Sequence, residues 1–336
     1  MKGWQTSYIK NKKWFWIALS LLTVAVIGLS IGVGVVKVSP YQLFVALRGQ
    51  DTASVSTRII LYSRLPRTFA AVLAGMALAV SGVVIQTVLN NPLASPGIIG
   101  VNSGAGLAVA IVCAAVPMAQ KWTPLIAFAG AFAGVLLVVL LAEHTGASRM
   151  TVVLAGIAVS NLFSAGIDAV ITLVPDALNG VSDFRVGGFA GVTMKQLGMA
   201  GVVIVISLIL LLSLAQQLEI VGLGQETAQS LGINMRKMRW VFLILAAALA
   251  GAAVSFSGLL SFIGLIVPHI MRRIVGEESL PLLVSSALGG ACFVTFCDLL
   301  ARILFAPYEL PVGIVLAFTG APFFLWLLFK QRGGRA

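Results

Sequence analysis

Few residues in this chain are ionisable, and their spacing limits the chemistry open to them. Arg64 and Arg67 lie one helical turn apart, so both guanidiniums can point the same way. Arg302 follows Asp298 by four residues, a spacing that lets the two pair along one helix face. Asp298 and Asp168 both interrupt long apolar runs, where an ionisable group is costly and often functional. An intrahelical ion pair accounts for Asp298 more simply than a proton relay does. Asp168 has no evident partner and is expected to face water near one end of its helix. Glu226, Ala228 and Gly232 spell Glu-x-Ala-x-x-x-Gly within the most polar segment, 216–239. There Leu223, Ala228, Leu231 and Ile233 can line the apolar face of a short helix. Gly232 is placed to cap it, and Arg236, Lys237 and Arg239 follow. By periodicity alone this is an ordinary surface helix.

Equipment for covalent chemistry is missing. No lysine follows a glycine, so there is no phosphate-cradling loop of the Walker type. Neither a His-Glu-x-x-His zinc site nor a Gly-x-Ser-x-Gly nucleophile turn occurs. His144 and His269 are the only histidines, and neither has a second ligand nearby in sequence. His269 follows Pro268 at an expected helix break, where packing is its expected role. Cys113, Cys292 and Cys297 fall in apolar segments without metal spacing and read as buried structural thiols. The chain is therefore expected to bind no metal or cofactor and not to be an enzyme.

The elements that carry these residues must be membrane helices. The chain is 59% hydrophobic and 10% charged, with a mean hydropathy of +1.05; a soluble domain is roughly 25% charged. The apolar runs are continuous rather than alternating, which argues against a β-barrel. The expected fold is an all-α polytopic domain over 1–336, with ten spans at 14–36, 68–89, 97–116, 122–142, 150–173, 197–214, 239–255, 259–274, 280–305 and 310–329. Glycines and prolines make the third, seventh and eighth the most broken. The net charge of +11 does not indicate nucleic acid, because Lys and Arg cluster at the ends of apolar runs. The first run follows Lys10, Lys12 and Lys13, is too long for a signal peptide, and reads as a retained span.

With the amino terminus cytoplasmic, thirteen of the 22 Lys and Arg fall inside and nine outside. That bias sharpens once the long 37–67 loop is discounted. Ten spans then place both termini in the cytoplasm. Leu73-Ala-Gly-Met-Ala-Leu-Ala-Val-Ser-Gly82 matches Leu249-Ala-Gly-Ala-Ala-Val-Ser-Phe-Ser-Gly258 at six of ten positions, and the same offset carries Pro92 onto Pro268. Small-residue helices resemble one another cheaply, so chance is one explanation. The other is a duplication covering 64–173 and 239–329, with 14–36 as the first span and 197–214 as the sixth. The copies, spans 2–5 and 7–10, would be inverted, a construction common in carriers.

The motifs resemble, in order, those of the FecCD family, the ABC importer permeases for iron–siderophore, haem and vitamin B12 uptake. They include Arg64-Leu-Pro-Arg67, Asn91-Pro-Leu-Ala-Ser-Pro-Gly97, Gly100-Val-Asn-Ser-Gly104, Ser148-Arg149 and Leu154-Ala-Gly156. Further along come Gly187-Gly188, Gly264-Leu-Ile-Val-Pro-His269, Asp298-Leu-Leu-Ala-Arg302, Leu310-Pro-Val-Gly313 and Gly320-Ala-Pro322.

This resemblance implies a permease paired with a second one, identical or homologous, around a central pathway. It also implies two cytoplasmic ABC ATPase subunits, which use the ATP and Mg, and an extracytoplasmic binding protein that delivers a metal chelate. Segment 216–238 would be the cytoplasmic coupling loop, with Glu226, Thr227, Ala228 and Gly232 docking on the ATPase; Thr227 departs from the commoner alanine. Arg64, Arg67 and Arg302 would pair with acidic residues of the binding protein, although arginines at helix ends can also simply snorkel. Thr145, Gly146, Ala147 and Ser148 would form the cytoplasmic gate, though a short turn has the same composition. Asn90, Asn91 and Asn161 are expected to satisfy backbone groups around broken helices. An ion-coupled secondary transporter is the rival; it would need Asp168 or Asp298 as its coupling site.

Overall fold

A computed structural model describes residues 12–36, 38–48, 54–116, 122–144 and 149–332, and all regular structure among them is helical. The hub is α4 (Leu65–Leu89). It continues upstream through a π turn, Ile60–Arg64, into α3 (Val55–Ile59), making one apolar helix of 35 residues. Pro66 lies in the first turn of α4, directly after the π turn that joins it to α3. The following Ala, Gly and Ser residues let neighbouring backbones approach closely, which is how helices associate without a hydrophobic driving force in lipid. A Cβ on Gly75 would sit 2.1 Å from the Gly290 carbonyl oxygen of α14 (Ser279–Ile303), and one on Gly290 would sit 2.2 Å from that of Gly75. Gly82 meets Gly264 of α13 (Ile263–Val275) in the same way. Ser81 donates its hydroxyl to the Ala246 carbonyl of α12 (Met235–Ser257) at 2.8 Å.

Helices α1 (Lys12–Gly32) and α9 (Met194–Ser213) also lie against this hub, whereas α6 (Thr123–His144) packs on α12 and α7 (Arg149–Leu173) packs on α6. A short helix, α2 (Pro40–Leu47), follows α1, and α8 (Leu178–Val186) follows α7. Seven described helices are long and apolar enough to cross a membrane. The third, eighth and tenth expected spans fall on α5 (Val101–Ala115), a short apolar helix, on α13, which carries Arg272 and Arg273 in its last turn, and on α15 (Val312–Arg332), apolar in sequence as far as Phe329. Both α5 and α13 begin directly after a left-handed residue, Gly100 and Phe262.

Packing crosses between the two halves of the chain. In the first half, α4 lies against α14 of the second; in the second, α12 lies against α6 of the first, and α4 and α12 also meet. The break expected at Pro268 is elsewhere. Helix α12 stops at Ser257, the chain runs irregularly to Phe262, and Pro268 lies inside α13. All three cysteines are free thiols, but only Cys297 is buried as expected; Cys113 and Cys292 are half-buried.

Candidate functional site

Two ends of the bundle carry the polar residues. At one end, α10 (Ala215–Leu223) leads into α11 (Gln225–Ser230), a six-residue helix. Gly232 sits just past its C-cap, Leu231, with φ +75°, a conformation glycine adopts without penalty. The Ile233 N–H donates to the Ala228 carbonyl at 2.9 Å and the Gly232 N–H to that of Gln229 at 3.0 Å. This pair of bonds is a Schellman motif and ends the helix sharply. Ala228 is fully buried, while Glu226 and Thr227 point outward. The expected apolar face is only half realised: Leu223 is 64% and Leu231 58% exposed. The segment is thus an acidic tip flanked by two outward leucines.

Beside it, Glu143 in the last turn of α6 ties down the start of α12. Arg236 Nε and Nη2 donate to its two carboxylate oxygens at 2.8 and 3.1 Å, and the Trp240 indole donates to Oε1. A cavity of about 420 Å³ lies between this clamp and Gln225 and Gln229 of α11. Thr145, Gly146, Ala147 and Ser148 directly follow α6 and lie outside the described residues.

At the opposite end stand Arg64, Arg67 and Arg302. They are 4%, 8% and 3% exposed, and each is answered from within the chain. Arg64 donates to the carbonyls of Ile31, Gly32 and Val36, at 3.1 Å for Ile31 and 2.7 Å for Gly32. Arg302 Nη1 donates to the Ser30 carbonyl at 3.0 Å, and its Nη2 to the Ser30 hydroxyl. Two guanidiniums therefore satisfy the orphan carbonyls at the C-terminus of α1, where positive charge is also favoured. Arg67 Nε pairs with Asp298 at 2.9 Å and its Nη1 with Glu309. The pair expected between Asp298 and Arg302 is present, with Arg302 Nε 3.2 Å from Asp298 Oδ2. Asp298, fully buried, thus serves two arginines from different helices.

Between the ends, α7 turns Asn161, Ser164, Asp168 and Thr172 outward along one stripe. Thr172 returns its hydroxyl to the Asp168 carbonyl at 2.7 Å. Asp168 is exposed as expected. Asn161 belongs to this exposed stripe rather than to a helix break. Asn91 does take the backbone role, its side chain accepting the Leu93 N–H at 2.9 Å, and Asn90 ends α4 in a left-handed conformation. His269 has the packing role expected of it, edge-on to Phe323 at 6.0 Å. No group of three or more His, Cys, Asp or Glu side chains that could hold a metal occurs among the described residues.

A family model described as the FecCD transport family matches residues 21–330. The chain belongs to the FecCD transport family. Among curated FecCD-like relatives, the hemin transport system permease protein HmuU of Yersinia pestis is 38% identical over 328 residues, covering 95% of this chain and 96% of the relative. The Fe(3+) dicitrate transport system permease protein FecD of Escherichia coli K12 is 39% identical over 275 residues, covering 82% and 86%. A solved metal-chelate type ABC transporter in an inward-facing conformation superposes with a TM-score of 0.82 at 30% identity, covering 94% of this chain and 98% of that one.

Sequence reasoning missed one pairing and one residue of this FecCD chain. Arg67 and Asp298 are 231 positions apart, so no local spacing reveals their pairing. Glu143 sits at the end of an apolar run and carries no motif, although a lone carboxylate there, in a chain with 11 acidic residues, was a usable signal.

Proposed function

We propose that this chain is the membrane-spanning permease subunit of a binding-protein-dependent ABC importer that carries an iron(III)–siderophore or similar metal chelate into the cytoplasm. The observation that carries the reading is the exposed α11 tip. It is an acidic turn held rigid by a Schellman motif and flanked by exposed Leu223 and Leu231, in a chain matched along almost its whole length by ABC permeases. In this reading Glu226, Thr227, Ala228 and Gly232 seat on a cytoplasmic ATPase subunit, whose ATP and Mg drive the cycle, and the permease does no covalent chemistry.

The seven long helices together with α5, α13 and α15 make ten spans, with both termini cytoplasmic and spans 2–5 and 7–10 inverted copies. The crossed packing of α4 on α14 and α12 on α6 supports that pairing. The polar stripe of α7 faces a water-filled route shared with a second permease subunit, because hydrocarbon cannot solvate Asp168 and Asn161. Thr145, Gly146, Ala147 and Ser148 close that route on the cytoplasmic side. An external binding protein docks on the end held by Arg64, Arg67 and Arg302. Their burial supports a role in fixing the rim it rests on. The ion-coupled alternative loses support from Asp298, whose charge is already matched by two arginines.

The test is uptake of a ferric chelate into proteoliposomes that hold the permease, its ATPase and ATP, with binding protein supplied outside. Uptake should require all components, and Glu226→Lys should abolish it while leaving the fold intact. Chelate uptake by the permease alone, or uptake that follows an ion gradient while ATP is withheld, would overturn the proposal.

A further inference from the structure

Helices α6 and α9 both lie along α12 but barely touch each other, which leaves a groove floored by Ala252 and Ser255. Its volume is about 590 Å³, within the range of roughly 300–1,000 Å³ usual for small-ligand sites. The walls are Leu125 and Phe128 on α6 and Met199, Ala200 and Val203 on α9. The floor is shallow-sided because Gly251 and Ala252 bring α12 close under Phe128. Such a cleft between two helices apolar enough to span a bilayer opens to acyl chains rather than to water.

Polar character is confined to one end of the groove. Trp122 immediately precedes α6 and Lys195 is the second residue of α9, so both mark the depth where the spans begin. Tryptophan favours that interfacial depth, and a lysine there reaches the headgroup layer on its flexible stem. Lys195 is exposed and has no ion-pair partner among the described residues. No carboxylate is among the described residues that line the groove; besides Lys195, its polar groups are Thr193, Gln196, Ser255 and the Trp122 indole. The formal charge lining the groove is therefore positive.

We propose that this groove binds an anionic glycerophospholipid, with one acyl chain between α6 and α9 and its phosphodiester against Lys195. A headgroup carrying its own cation neutralises that phosphate and gains less from Lys195, so phosphatidylglycerol is preferred over phosphatidylcholine. The site stands apart from α11 and from the α7 stripe, and requires only that the chain spans the membrane.

Trp122 supplies the probe. The full chain is reconstituted in vesicles in which either phosphatidylglycerol or phosphatidylcholine carries brominated acyl chains. The Trp122 contribution is taken as the difference between wild type and Trp122→Phe. The expected result is half-maximal quenching of that contribution at a mole fraction of brominated phosphatidylglycerol at least threefold lower than of brominated phosphatidylcholine. Lys195→Gln should abolish the difference between headgroups, and Val203→Phe, which fills the groove beyond Lys195, should weaken quenching by both lipids. Equal quenching by the two lipids in the wild type overturns the proposal, as does a preference that survives Lys195→Gln. Shielding of Trp122 from both lipids also overturns it, since that would mean another protein surface covers the groove.

Discussion

Gln86 on α4 donates its side-chain amide to the Gly264 carbonyl at 3.0 Å, and that carbonyl belongs to the residue four positions before Pro268. A proline inside a helix has no N–H to offer the carbonyl one turn back. The neighbouring helix supplies the missing donor. The Gln86 oxygen in turn accepts from Arg272 Nη1 at 3.0 Å, so a single buried amide fixes α13 against α4 at two points. Replacing Gln86 by leucine should destabilise the protein by about 1–3 kcal/mol, the usual penalty for stranding a buried polar group. Pro268→Ala gives α13 back its own donor. The double variant should therefore lose less than the sum of the two single losses, as read from thermal unfolding in detergent.

Asp298 holds Arg67 and Arg302 together where none of the three reaches solvent freely. Asp298→Asn should cost about 3–5 kcal/mol, because the two buried guanidiniums lose their shared counter-charge. Adding Arg302→Met to that variant should recover part of the loss. An unfolding midpoint unmoved by Asp298→Asn would show that the cluster is solvated.

The contact of Gly75 with Gly290 leaves no room for a methyl group on either side. Gly290→Ala should separate α4 from α14 and destabilise by about 1–3 kcal/mol or more, since the obstructing Gly75 carbonyl is backbone and the Ala79 Cβ beside it cannot swing aside. Gly198→Ala on α9, where a Cβ meets nothing within 4 Å, is the control and should leave the unfolding midpoint unchanged or raise it.

The Glu143–Arg236 pair links the end of α6 to the start of α12, next to α11. In the reconstituted importer, Glu143→Arg should reduce uptake severalfold more than it reduces ATP hydrolysis. Adding Arg236→Glu restores opposite charges and should recover uptake. Equal losses of uptake and hydrolysis in the single variant would place Glu143 outside the coupling.

Much of this was legible from local spacing. The Asp298–Arg302 pair follows from a separation of four, the Gly232 cap from its position after a short polar helix, and the apolar runs from composition. Contacts between distant segments were not. Two of the three docking candidates, Arg64 and Arg302, turn inward because α1 ends beside them with unpaired carbonyls, a demand invisible from their own neighbourhoods. Leu223 and Leu231 read as buried because periodicity cannot tell a core from a surface reserved for another protein. Pro268 read as a breaker because its compensating donor, Gln86, lies 178 positions upstream of Gly264.

Where glycine backbones of α4 rest directly on those of α14 and α13, no side chains remain between them to rearrange. Rotamer changes, which let most helix pairs slide or tilt, have nothing to act on there. The centre of the molecule is consequently a fixed spine, and any change of shape must be carried by helices outside it.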